Sequence, residues 1–209
     1  MGDVLTVFLG VVGSGVIGLN ATEAGAGGVV VLPLLATQLL WNNLVTYAAP
    51  ALAMGVVPPT DDLMARKPRH VSERLIDARM WASVIQTGVV IALLTLLTMD
   101  FYLPGGLIAG TGDLTSARTA GFTVLVFTCF TARSDTTSAF AKLFVNPWLW
   151  GAIALSLLLQ VAVVHVPFLN LAFGTTPLTL DQWLLCAAMA SAVLWYSELR
   201  KLAGRAWGP

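Results

Sequence analysis

The 209-residue chain is 57% hydrophobic and only 11% charged, with eleven basic and eleven acidic residues in balance. Soluble domains usually carry about a quarter charged residues, so an ordinary water-soluble domain is excluded and an integral membrane protein is expected. The neutral balance offers no field for a nucleic acid, and no such partner is expected.

Six apolar runs are long enough to cross about 30 Å of hydrocarbon. The first, roughly 3–19, has Asp3 where a signal peptide would carry a basic residue, and it lacks a small-residue cleavage site, so it reads as a helix. The second, 30–56, is long and broken by Pro50. The third, 79–99, contains Gln86, and the short fourth, 118–135, carries Thr128, Cys129, Thr131 and Asp135. The fifth, 148–166, holds Gln160 and ends near His165, and the sixth, 180–199, contains Cys186. Turn-rich stretches separate them, including "DFYLPGGLIAGTGDLTSA" and "PFLNLAFGTTPLTL". Cys129 and Cys186 lack a CxxC spacing and read as packing residues. No internal repeat supports an inverted-repeat transporter.

Lys and Arg divide unevenly between the two sides of these runs. Arg66, Lys67, Arg69, Arg74, Arg79, Arg133, Lys142, Arg200, Lys201 and Arg205 fall on one side, and Arg118 alone on the other. The positive-inside rule then puts both termini in the cytoplasm. The expected fold is all-α: one six-helix transmembrane bundle over residues 1–209 with a Pro-interrupted second helix.

The second run gathers polar groups where they are costly. At helical spacing Asn43, Thr46 and Tyr47 share a face, and Pro50 deprives the Thr46 carbonyl of its partner. Oxygen-rich ligands suit a hard cation. Helix–helix hydrogen bonding, about 0.6–2 kcal/mol per contact, explains the same residues. On the residues alone, both readings stand.

The stretch from Trp41 to Gly55, "WNNLVTYAAPALAMG", followed by "PPTDDLMARKPR" at 58–69, resembles the sixth transmembrane helix and next cytoplasmic loop of P-type cation-transporting ATPases, calcium-pump-like members in particular. "VLVFTCFTARSD" and "LTLDQWLLCAAMASAVLWYSELRKL" are similar to the eighth and tenth helices of that family. The resemblance implies that the six runs are helices five to ten. It also implies that Asn43, Thr46, Tyr47 and Asp3 lie at positions binding a transported cation, Ca²⁺ or another hard ion. Pro50 would mark the helix break. Asp62, Met64, Arg66 and Arg69 would dock onto the family's cytoplasmic catalytic domains.

The chain departs from the family pattern at informative positions. Tyr47 stands where calcium-pump-like members carry a carboxylate, Ala48 replaces a glycine, and Cys129 occupies the acidic position of the eighth helix. No Asp-Lys-Thr-Gly-Thr phosphorylation stretch or Walker loop is present, so this chain by itself is expected not to hydrolyse ATP and to need no resident cofactor. The expectation is the membrane domain of a pump, truncated or split, with membrane lipid and a catalytic half as partners. The alternative is a catalytically inactive stand-alone scaffold, binding or channel-like module.

Overall fold

The computed structural model describes residues 1–14, 16, 17, 19, 32–48, 55, 78–103, 107, 108, 110, 112–128 and 147–206. Pro50, Asp62, Met64, Arg66, Arg69 and Cys129 lie outside the described residues, as do the side chains of Thr46 and Tyr47.

Among the described residues there are seven α-helices: α1 (Gly2–Val12), α2 (Ala36–Trp41), α3 (Ala78–Asp100), α4 (Leu114–Thr128), α5 (Pro147–His165), α6 (Pro167–Phe173) and α7 (Leu180–Ala206). A π-helical segment, Asn42–Tyr47, continues α2 without a break.

Local chemistry explains where the helices start and stop. Within the run 3–19, α1 ends at Val12, where Gly13 stops it and turns follow at Ser14, Val16 and Ile17. Within the run 30–56, residues 32–35 are not helical and α2 opens at Ala36. Leu35 is extended and its N–H donates to the Gln38 Oε1 at 3.2 Å, which caps α2 after Pro33. The fourth run starts earlier than residue 118: Asp113 Oδ1 accepts from the Ser116 N–H at 3.2 Å and opens α4 at Leu114. Gln182 Oε1 likewise accepts from the Thr179 N–H at 2.8 Å and fixes the start of α7. The stretch read as a loop after 166 contains α6, with Pro167 at its first turn and Gly174 in a left-handed conformation (φ 58°) at its end.

Side-chain contacts give each helix its direction. Gly2 faces Ile91 and Gly10 faces Leu96, so α1 and α3 run parallel. Leu114 and Ala117 of α4 cluster with Leu103 beyond α3, and Gly121 faces Met99 and Thr95, so α4 returns antiparallel. Arg118 donates to the Leu32 carbonyl through Nε (3.2 Å) and Nη2 (2.8 Å), which ties the approach of α2 to the start of α4. Gln160 meets Thr123 while Val163 packs near Phe122, making α5 antiparallel to α4. Cys186 packs with Tyr102, and Arg200 Nη1 reaches the Ser83 carbonyl at 3.1 Å, so α7 is antiparallel to α3. Thus α1, α3 and α5 run one way, and α2, α4 and α7 the other.

On α1 the pattern of burial is inverted relative to a soluble helix, and α3 and α5 bury polar side chains beside apolar ones while exposing other apolar ones. α1 buries Gly2, Asp3, Thr6 and Gly10 and exposes Val4, Phe8 and Val12. α5 buries Ser156 and Gln160 and exposes Leu155, Leu158 and Val161. α3 buries Thr95, Thr98 and Asp100 while Leu93 is exposed. Water would reward the opposite arrangement. By length and composition, Met80–Asp100 can cross a bilayer; Trp150–His165 and Pro167–Phe173 qualify together as a pair bent by 89°.

Candidate functional site

The site forms where the first turn of α1 meets the α2–π junction. Asp3 is 7% exposed, and its Oδ1 accepts from Asn42 Nδ2 at 3.0 Å. Asn42 is fully buried, and its own Oδ1 finds no hydrogen-bond partner among the described residues. One helical turn along α1, the buried Thr6 hydroxyl donates to the Gly2 carbonyl at 2.8 Å. The packing around Asp3 is close: a Cβ on Gly88 would sit 3.1 Å from Leu5 Cδ1 and 3.6 Å from the Gly2 nitrogen.

A buried carboxylate beside an amide oxygen without a donor is an arrangement a hard cation suits. Both oxygens are already desolvated, and a buried acceptor left unmatched is costly until something fills it. The π segment adds to this. In an α-helix each carbonyl accepts from the residue four on, whereas i→i+5 bonding loosens the ladder, and such bulges cluster at functional positions.

Of the residues singled out from sequence, the structure brings Asp3 to the junction. Asn43 is exposed, and its Nδ2 turns back to the Leu39 carbonyl at 2.9 Å. Its neighbour Asn42 is the amide that meets Asp3, and sequence reasoning passed over it. The signal was the i, i+4 spacing of Gln38 and Asn42, which are both fully buried and share the inward face. Thr46 and Tyr47 contribute their backbone to the π segment.

Other polar residues divide between structural tasks. Gln86 is exposed, whereas Gln160 is buried with its Nε2 3.2 Å from Thr123 Oγ1. Thr119 and Thr123 return their hydroxyls to carbonyls one turn back, at 2.7 and 2.8 Å. His165 Nε2 accepts from Trp183 Nε1 at 3.3 Å with the rings stacked 6.1 Å apart. Cys186 is buried and free, its Sγ 3.6 Å from the Ala120 carbonyl. Asp100, which was not singled out at the end of the third apolar run, is buried and holds the residues that follow. Its carboxylate accepts from the Leu107 N–H at 3.0 Å and the Ile108 N–H at 2.8 Å. No group of three or more His, Cys, Asp or Glu able to hold a metal occurs among the described residues.

Comparison with known proteins gives a consistent result. Residues 31–203 match the family described as cation transporting ATPase, C-terminus. The chain is 34% identical over 164 residues to a calcium-transporting ATPase of Bacillus subtilis (strain 168), a match covering 77% of this chain and 18% of that protein. It is 34% identical over 195 residues to calcium-transporting ATPase 1 of Bacillus cereus, covering 82% and 21%. An endoplasmic reticulum-type calcium-transporting ATPase 4 of Arabidopsis thaliana is 29% identical over 227 residues, covering 82% and 21%. The chain thus spans about a fifth of the length of these relatives.

Proposed function

The chain belongs to the cation-transporting ATPase C-terminal family, the carboxy-terminal membrane region of P-type cation pumps, and on that premise we propose that it contributes part of a cation pathway driven by catalytic domains outside these 209 residues. The observation that carries this reading is the buried Asp3–Asn42 pair, with an unmatched amide oxygen at the start of a π-helical segment. Asp3 supplies the charge that neutralises a cation, and Asn42 Oδ1 supplies a neutral oxygen ligand. Thr46 and Tyr47, on the same segment, would complete the shell.

The six-span membrane topology belongs to the same proposal. It is supported by the alternating helix directions and by the apolar outward faces of α1 and α5. Trp81, Trp150 and Trp195 are all exposed near one end of the bundle, the end where Arg200 meets Ser83, which is where an interfacial aromatic belt belongs. In this reading that end is the cytoplasmic one, where the basic loops would lie. The segment with Asp62, Met64, Arg66 and Arg69 would then face the catalytic domains.

The absence of a carboxylate at Tyr47 favours a second reading, a scaffold that keeps the fold and no longer transports. Ca²⁺ sites gain affinity from several carboxylates, and the described junction contributes one. Isolation of the protein from native membranes in mild detergent, followed by incubation with ATP and Ca²⁺, separates the readings. An acid-stable, hydroxylamine-sensitive phosphoenzyme that co-isolates with this region, and whose cation dependence weakens in Asp3→Asn, supports a working pathway. Isolation without phosphoenzyme, and with no cation binding, leaves the scaffold.

A further inference from the structure

The right-angle bend after α5 satisfies its own backbone. The last turn of α5 would ordinarily leave carbonyls for water. Here Thr175 Oγ1 donates to the Val163 carbonyl at 2.7 Å. The Asn170 amide, turned with its nitrogen inward, shares its two hydrogens among the Val163 carbonyl at 2.7 Å and those of Val164 and Val166 at 3.0 and 3.2 Å. The Phe173 carbonyl at the other end of α6 accepts from the fully buried Gln38 Nε2 at 3.1 Å. A bend that supplies internal partners for its freed groups is the kind that survives away from water.

The position of α6 along the bundle points the same way. Thr175 reaches Val163, which is below the end of α5 at His165. Phe173 packs edge-on against Trp41, with centroids 4.9 Å apart. Trp41 lies five residues beyond the first residue of α2, about 8 Å down that helix at 1.5 Å per residue. The C-terminal end of α6 therefore lies alongside the bundle rather than above it. Its inner face, Leu169 and Phe173, packs on Leu34, Phe122 and Val163. Its outer face presents Phe168 (78% exposed) and Leu171 (87% exposed). Leu155, Leu158 and Val161 are likewise exposed along α5.

We propose that α6 is a re-entrant helix whose Phe168–Leu171 face is seated in the hydrocarbon of the leaflet opposite the basic loops. A short helix at a right angle to a span, with apolar residues outward and no charge, fits the acyl boundary of a bilayer. The inference rests on the membrane reading given above, so its test carries a control for that reading.

Single spin labels are placed at Phe168→Cys, Leu171→Cys, Leu158→Cys and Asp113→Cys in full-length chain lacking its native cysteines. The protein is reconstituted into phosphatidylcholine–phosphatidylglycerol vesicles, and relaxation by oxygen is compared with relaxation by a water-soluble nickel chelate. Labels at 168 and 171 are expected to collide with oxygen several-fold more than with nickel, as at 158, with the order reversed at 113. Nickel access at 168 and 171 while 158 remains in lipid overturns this inference alone. Nickel access at 158 overturns the membrane reading itself. Exclusion of both relaxers at 171, with dipolar broadening between chains, would mean that a second copy covers the face and overturns the lipid assignment.

Discussion

Replacing Asn42 and Asn43 one at a time gives adjacent, chemically identical substitutions with unequal expected costs. Asn42→Leu removes the Nδ2 that donates to the Asp3 carboxylate at 3.0 Å inside the bundle. A hydrogen bond to a buried charged group is worth about 1.5–3 kcal/mol, roughly a 10- to 140-fold change in the folded-to-unfolded ratio. The same substitution deletes the unmatched Asn42 Oδ1 and returns part of its desolvation cost, so the net loss is expected in the lower half of that range, about 1.5–2 kcal/mol. Asn43→Leu removes only an exposed bond to the Leu39 carbonyl, and its cost is expected within about 0.5 kcal/mol. Reversible unfolding in a fixed detergent and salt reads both values. A double-mutant cycle with Asp3→Asn isolates the pair, because the Asn42 effect shrinks once the carboxylate is gone. If Asn43→Leu costs more than Asn42→Leu, or if the cycle shows no coupling between residues 3 and 42, the site reasoning fails.

Three further predictions follow from separate features. Asp100→Ala strips acceptors from the Leu107 and Ile108 N–H groups; a loss of about 2–4 kcal/mol is expected, with accelerated amide exchange at those two residues rather than along α3. Gly10→Ala places a methyl 2.6 Å from Pro33 Cγ and 2.9 Å from its Cβ, in a ring that cannot swing aside; it is expected to cost about 1–3 kcal/mol, more than Gly121→Ala, whose methyl meets the flexible Met99 side chain at 2.8 Å. The Ser116 hydroxyl, with neighbouring backbone N–H groups, holds the exposed Asp113 carboxyl below its ordinary value of 3.8. A carboxyl lowered on folding stabilises above its unfolded value, and that contribution disappears as pH falls through the folded one. Wild type should therefore exceed Asp113→Asn in stability at neutral pH and converge with it in acid; a gap that persists below the folded value refutes the cap.

Part of the helical architecture was legible because long apolar runs mark some of the helices plainly. The run 79–99 lies within Ala78–Asp100, and 148–166 closely overlaps Pro147–His165. What was harder to read came from polar groups acting at a distance. Gln38 caps α2 and also reaches Phe173, a contact 135 residues away in sequence. The start of α4 was legible in "GDLTS", an Asp three residues before a Ser, but the apolar count overrode it. α6 was hidden by its brevity, although Pro167 and Gly174 stand where a short helix wants them. At the site, Asp3 could be found from its charge within an apolar run. Asn42 could not be separated from Asn43 by residue type; what separates them is the buried Gln38 one helical turn before Asn42, which marks the inward face.

The glycines of α1 and α3 have a mechanical consequence. Ile91 lodges over Gly2, Leu96 over Gly10, and Leu5 over Gly88, so each helix plugs its side chains into hollows on the other. A pair joined by such pegs resists sliding by a fraction of a turn, since every peg would have to ride over a neighbouring Cβ. The two helices are therefore built to travel as one strut. A displacement of α1 along its axis would carry the 88–96 segment with it.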